Sequence, residues 1–209
     1  MKAVIRYITF AVIVVASAIT ASARTAADFF AAAPDSVMPL LTGVTRLDMC
    51  DYHAAGSTRP SANRLGGHSR VTSQAPLLIE YELTDSASGQ LGVLIAGADT
   101  VLVVNTTLHL PAPDSEVALY DTAWRRIPAA GIMPRYTDWL TPEGRADIDR
   151  ASSLVPFVTA EAAVDPEART LILTGGAAVY VAPSMRDEVA RMFVPQITVS
   201  LVGIKPRSR

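Results

Sequence analysis

Cysteine occurs once in this 209-residue sequence, at Cys50. One cysteine closes no bridge within a chain, so the fold must rest on core packing. Cys50 then reads as a small buried apolar side chain, the commonest state of a free cysteine, with pairing to another molecule as the alternative. Lysine is almost as scarce, at Lys2 and Lys205 only, against 16 arginines. Ser–Lys and Schiff-base chemistry need a lysine in a shielded site, and neither terminus offers one. There is no G-x-S-x-G nucleophile elbow. The glycine-containing stretch Asn63–Gly67 lacks the lysine of a phosphate-binding loop and reads as a turn that needs positive φ. No apolar run reaches the roughly 20 residues of a spanning helix. The formal charge of −2 leaves no basic face for nucleic acid.

What is present begins with a leader. Lys2 and Arg6 precede a short apolar stretch from Ile8 to Ile19, and Ala21-Ser22-Ala23 follows with small residues where a signal peptidase reads. This pattern predicts a cleavable signal peptide over residues 1–23 and a periplasmic or secreted product with no membrane span after cleavage. The remaining chain carries 16 basic and 20 acidic residues. It is long enough for a single domain over 24–204, with a possible sub-division near 128–153, where Pro128, Gly131, Pro134 and Pro142 interrupt any long element. The polar end, 205–209, is expected to be a disordered tail.

Thr25 with Asp28 is a capping-box signal for a first helix. Pro34-Asp35-Ser36 predicts a short second helix over 37–41, and Thr45 with Asp48 a third over roughly 45–55. Period-two alternation then marks a strand over 77–84 and another over 90–95, with buried-type runs over 101–110 and 116–127. Four strands with short connections favour an antiparallel meander, because parallel neighbours need long crossovers. Further on, a helix is expected at 141–152, strands at 154–162 and 169–175, a helix capped by Ser184, and a last strand at 197–204. The fold class that follows is α+β, a mostly antiparallel sheet with helices packed on one side.

Several segments together carry a family resemblance. They are Ala33-Pro34-Asp35-Ser36-Val37-Met38-Pro39-Leu40-Leu41, Arg46-Leu47-Asp48-Met49, Asn63-Arg64-Leu65-Gly66-Gly67, and Asp114-Ser115 followed by Tyr120 and Trp124. In this order and spacing the chain resembles domain-of-unknown-function family 3256, exported proteins of Bacteroidales. It differs in being richer in alanine and arginine. The resemblance implies an exported protein, an unassigned role and no catalytic residue to carry over.

The residues themselves offer a few candidate sites. Asp48 and Asp51 share a helical face and are candidate metal ligands, but Cys50 and His53 point well away from it, so the ligands do not converge. His68 and His109 are candidate bases for a hydrolase if either meets a serine, the cysteine or a carboxylate. Glu80 and Glu82 lie on one face of a strand and read as a solvated face. Tyr120 and Trp124, an even number apart, would share a strand face, as core or as a stacking platform for a ligand. No cofactor is called for. The leading reading is a non-enzymatic binding or assembly module of the cell envelope, whose partner would be an envelope protein, a peptide or a glycan. The alternative is an envelope hydrolase with a His-containing site.

Overall fold

The protein's structure, a computed structural model, describes residues 24–97, 99–109, 111–128 and 131–205. The expected leader and residues 206–209 of the expected tail lie outside the described residues.

Two helices open the fold. In α1 (Ala26–Ala31) the Thr25 hydroxyl accepts from the Asp28 N–H at 3.2 Å and the Asp28 carboxylate accepts from the Thr25 N–H at 2.7 Å, the expected capping box. Helix α2 (Gly43–Ala54) starts earlier than expected. Its cap is Thr42, whose hydroxyl accepts from Thr45 N–H, so Thr45 is capped rather than capping. The short helix expected over 37–41 does not form. The N–H groups of Val37 and Met38 close turns onto the Pro34 carbonyl. Buried Arg46 holds this loop, donating to the carbonyls of Ala33 and Leu41 and lying beside Asp35. Its anchors at Ala33, Asp35 and Leu41 hold the segment as a run of turns.

Seven strands follow as an antiparallel meander in sequence order: β1 (Ser61–Ala62), β2 (His68–Gln74), β3 (Leu78–Thr84), β4 (Ala87–Ala96), β5 (Asp99–Leu108), β6 (Asp114–Tyr120) and β7 (Arg126–Ile127). The expected four strands are its centre. Strand β2 escaped the sequence reading because its apolar content is a lone Val71 among polar residues. The run expected over 116–127 is two strands. Asp121 splits them by accepting from the N–H groups of Ala123 and Arg125.

A second, three-stranded sheet has the order β10–β9–β8, from β8 (Ala160–Asp165), β9 (Thr170–Gly175) and β10 (Gln196–Ser200). Strand β8 starts later than expected because a helix occupies residues to 154. The single helix expected at 141–152 is two, α3 (Pro142–Ala146) and α4 (Ile148–Leu154). Asp147 ends the first and caps the second by accepting from Arg150 N–H. Helix α5 (Arg186–Met192) has Met185 at its cap position with no side-chain hydrogen bond, and Ser184 sits in the 3-10 turn before it.

The architecture is α+β. Helices α1 and α2 pack directly on one face of the seven-stranded sheet, where Phe30 and Met49 meet Ile79, Tyr81, Leu91 and Leu102. The other face is covered by the second sheet, which the sequence reading did not separate. There Val101, Val103 and Leu119 join Val164, Leu171 and Leu173, with Trp139 and Phe193 from the α3–α5 region. The helices therefore lie on one side only as far as α1 and α2 are concerned; α3–α5 share the second core. Each fully buried leucine or isoleucine here contributes about 1.5–3 kcal/mol of transfer free energy, so both faces are strongly specified.

Candidate functional site

The face beneath the second sheet changes character along the strands. Antiparallel register aligns Leu78, Gly92, Val103 and Leu119 in one row. The next row on that face is Glu80, Gln90, Asn105 and Val117, and the next is Glu82, Ser88, Thr107 and Ser115. Period two puts each row on the same side, so one wall runs from apolar to polar. Over its polar part lies a cleft of about 460 Å³, roofed on one side by Glu161, Ala162, Ala163 and Thr174 of the second sheet.

The two sheets are joined through side chains. In β8 the groups that point away from β9 belong to Ala160, Ala162 and Val164. Asn105 Nδ2 donates to the Ala162 carbonyl at 2.7 Å, and the Ala162 N–H donates to Ser115 Oγ at 2.8 Å. Val164 N–H donates to Gln90 Oε1 at 3.1 Å, and Ala160 N–H to Asp114 at 3.3 Å. Side chains of one sheet thus satisfy the exposed edge of the other, groups that would cost free energy if buried unpaired. At Gly92 a Cβ would stand 2.6 Å from Val164 Cγ1, so only glycine admits β8 this closely.

Within the cleft, Ser88 Oγ and His109 Nε2 are 2.9 Å apart. His109 is fixed by its own backbone N–H, which donates to the Ser86 carbonyl. Glu80 accepts from Gln90 Nε2 at 2.7 Å. Glu82 is neutralised by Arg70, which donates twice at 2.8 and 2.9 Å. Glu161 is exposed and makes no ion pair among the described residues. Asn105 is 1% exposed; its Nδ2 is committed to the carbonyl oxygens of Ala162 and Gln90, while its Oδ1 has no hydrogen-bond partner among the described residues. The cleft is therefore richer in acceptors than in donors.

The other candidates do not converge. Asp48 is half-buried and Asp51 exposed on α2, and no group of three or more His, Cys, Asp or Glu side chains suited to a metal occurs among the described residues. Cys50 packs toward the α1–α2 core instead. His68 is exposed at the start of β2 and makes no side-chain hydrogen bond among the described residues. Tyr120 and Trp124 do meet, with ring centroids 5.7 Å apart, but not as neighbours along one strand. The Asp121 turn, with Trp124 at φ +62°, folds them together, half-buried against the first core. Glu80 and Glu82, read as a solvated face, line the cleft. Ser88, Gln90 and Asn105 were not singled out in the sequence. Alternation places Ser88 with Gln90, and the short turn after β4 sets Ser88 opposite Thr107; that register was the signal available.

Comparison with known proteins adds the family and the fold. Residues 18–201 match the family model described as Protein of unknown function (DUF3256). No curated protein matches the chain. A solved domain of an uncharacterized protein from Porphyromonas gingivalis W83 is similar at 20% identity and a TM-score of 0.65, covering 82% of this chain and 91% of that one. At that identity the likeness shows the fold alone.

Proposed function

The chain belongs to the DUF3256 family, a family described only as of unknown function, and from that premise we propose that it is an exported binding module of the cell envelope whose ligand site is the inter-sheet cleft. The observation that carries this reading is the convergence of Glu80, Glu161, Ser88 and His109 on one polar concavity between two sheets. Glu82 is already paired with Arg70, whereas Glu80 and Glu161 have no basic partner among the described residues. A ligand bearing N–H donors, an extended peptide with an amine or guanidinium side chain, matches that acceptor surplus. The leader pattern and the envelope role fit together, since a clipped product would meet such peptides outside the cytoplasm.

The test uses protein recovered from cells that express the full chain. N-terminal sequencing should read from Arg24. Short arginine-containing peptides should shift the resonances of Glu80, Ser88, His109 and Glu161, and glutamate-containing peptides of equal length should not. The substitution Glu161→Gln should weaken binding about tenfold, the loss of one charged hydrogen bond. Shifts confined to other surfaces, or equal binding of both peptide sets, would contradict the proposal.

The Ser88–His109 contact favours a second reading, a hydrolase in which His109 takes the Ser88 proton. A triad also has an acid that orients the histidine, and among the described residues no side chain bonds His109 Nδ1. An activated ester turned over by the protein and not by its Ser88→Ala variant would support this reading over the first.

A further inference from the structure

The three-stranded sheet treats its two edges differently. The β8 edge is satisfied by Gln90, Asn105, Asp114 and Ser115, as described above. The β10 edge is not. Gly175 N–H donates to the Pro195 carbonyl and Leu201 N–H to the Arg169 carbonyl, which fixes the alternation. The odd residues of β10 therefore bond to β9, and the N–H and C=O groups of Gln196, Thr198 and Ser200 point outward. These three residues are exposed, and their backbone groups have no hydrogen-bond partner among the described residues.

Exposed edges are ordinarily blunted by charge, an internal proline or a bulge. Strand β10, Gln-Ile-Thr-Val-Ser, has none of these; Pro195 lies just outside it and its pairing with β9 is regular. We propose that β10 is a homodimer edge, at which two copies of this chain pair antiparallel about a two-fold axis through Thr198 and join their three-stranded sheets into one of six strands.

The register argues for a second copy over a foreign strand. A two-fold at Thr198 sets Thr198 against its own symmetry mate and Gln196 against Ser200. All three outward residues then fall in hydrogen-bonded pairs, so every free N–H and C=O of the strand is used. Between them, Ile197 opposes Val199 of the other copy at the closer, non-hydrogen-bonded spacing. Both side chains already lean on the second core, so the pairing extends an existing apolar layer. β-branched pairs of this kind stabilise a seam, and no like charges oppose each other across it. The axis is set by the strand's own sequence: a shift of two residues leaves outward groups unpaired at both ends. This inference is independent of the cleft and of any ligand there.

Sedimentation velocity on the protein, from micromolar to several hundred micromolar, should show a reversible monomer–dimer equilibrium. Amide exchange at Gln196, Thr198 and Ser200 should slow as concentration rises. Thr198→Pro removes an outward N–H and no bond to β9, so it should abolish the dimer while leaving thermal unfolding of the monomer nearly unchanged. Thr198→Lys, which sets two cations across the axis, should weaken the dimer at least tenfold even if the proline variant fails to fold. A wild-type protein that stays monomeric throughout, or a dimer that survives Thr198→Lys, overturns the proposal. So does protection of these three amides only when a foreign peptide is added.

Discussion

Cys50 lies half-buried against the α1–α2 core, and burial pushes its thiol up to about 11, with Asp51 and Asp28 adding repulsion against a thiolate. The ordinary value is near 9. Because the folded value is the higher one, folding favours the protonated thiol. That contribution is complete below the unfolded value and is lost as pH rises through about 11. Alkylation of the native protein at pH 8 should thus be at least tenfold slower than in denaturant, and should accelerate as pH approaches 11. Equal rates in the two states would show an accessible, reactive thiol. The sequence made this residue legible, since a lone cysteine on the inner side of a helix is ordinarily a packing group. It marked His109 as a candidate polar group but not its partner. Ser88 lies 21 residues away, and only the strand register brings the two within 2.9 Å. Arg46 was equally hidden: nothing in its sequence context says that its guanidinium is 2% exposed and holds the 33–41 loop.

Among the elements, β3 and β4 were readable from their alternation, and β5 from an unbroken β-branched run that is buried on both faces. The short helices were not. A five-residue helix such as α3 has too little periodicity to separate from its neighbour, and the break between the two rests on Asp147 alone. The side-chain joint between β8 and the large sheet was also invisible, because it needs residues such as Gln90 and Val164 to meet across 74 positions. Asn105 is its central member. Replacing it with alanine strands the Ala162 carbonyl and should cost about 2 kcal/mol, the price of one buried group left unpaired. Urea denaturation checks this: the midpoint should fall with an unchanged slope. A loss under 0.5 kcal/mol would mean that the joint is dispensable.

For the molecule as a whole, one sheet is wall to both cores. Leu102 faces the α1–α2 side and Leu119 the second-sheet side, and each is 0% exposed. A cavity on either face weakens the wall that the other also needs. Leu119→Ala should destabilise by about 3 kcal/mol and lower Tm by roughly 6–12 °C. Single-tryptophan variants read the two sides separately, through Trp139 in the second core and Trp124 beside the first. Both should report one coincident transition. Two separated transitions would mean that the cores melt as independent units. The class and the meander were legible from patterning and turn chemistry; the doubling of the sheet was not, because β8 to β10 read as additional members of a single layer.

The gradation along that wall has a mechanical consequence. Where Gly92 lets Val164 press home, the two layers are welded. From the next row on they are held by the amides of Gln90 and Asn105 and the hydroxyl of Ser115. A joint closed by interlocked side chains at one end and by directional polar contacts at the other keeps its free space at the polar end, which is why the concavity opens there.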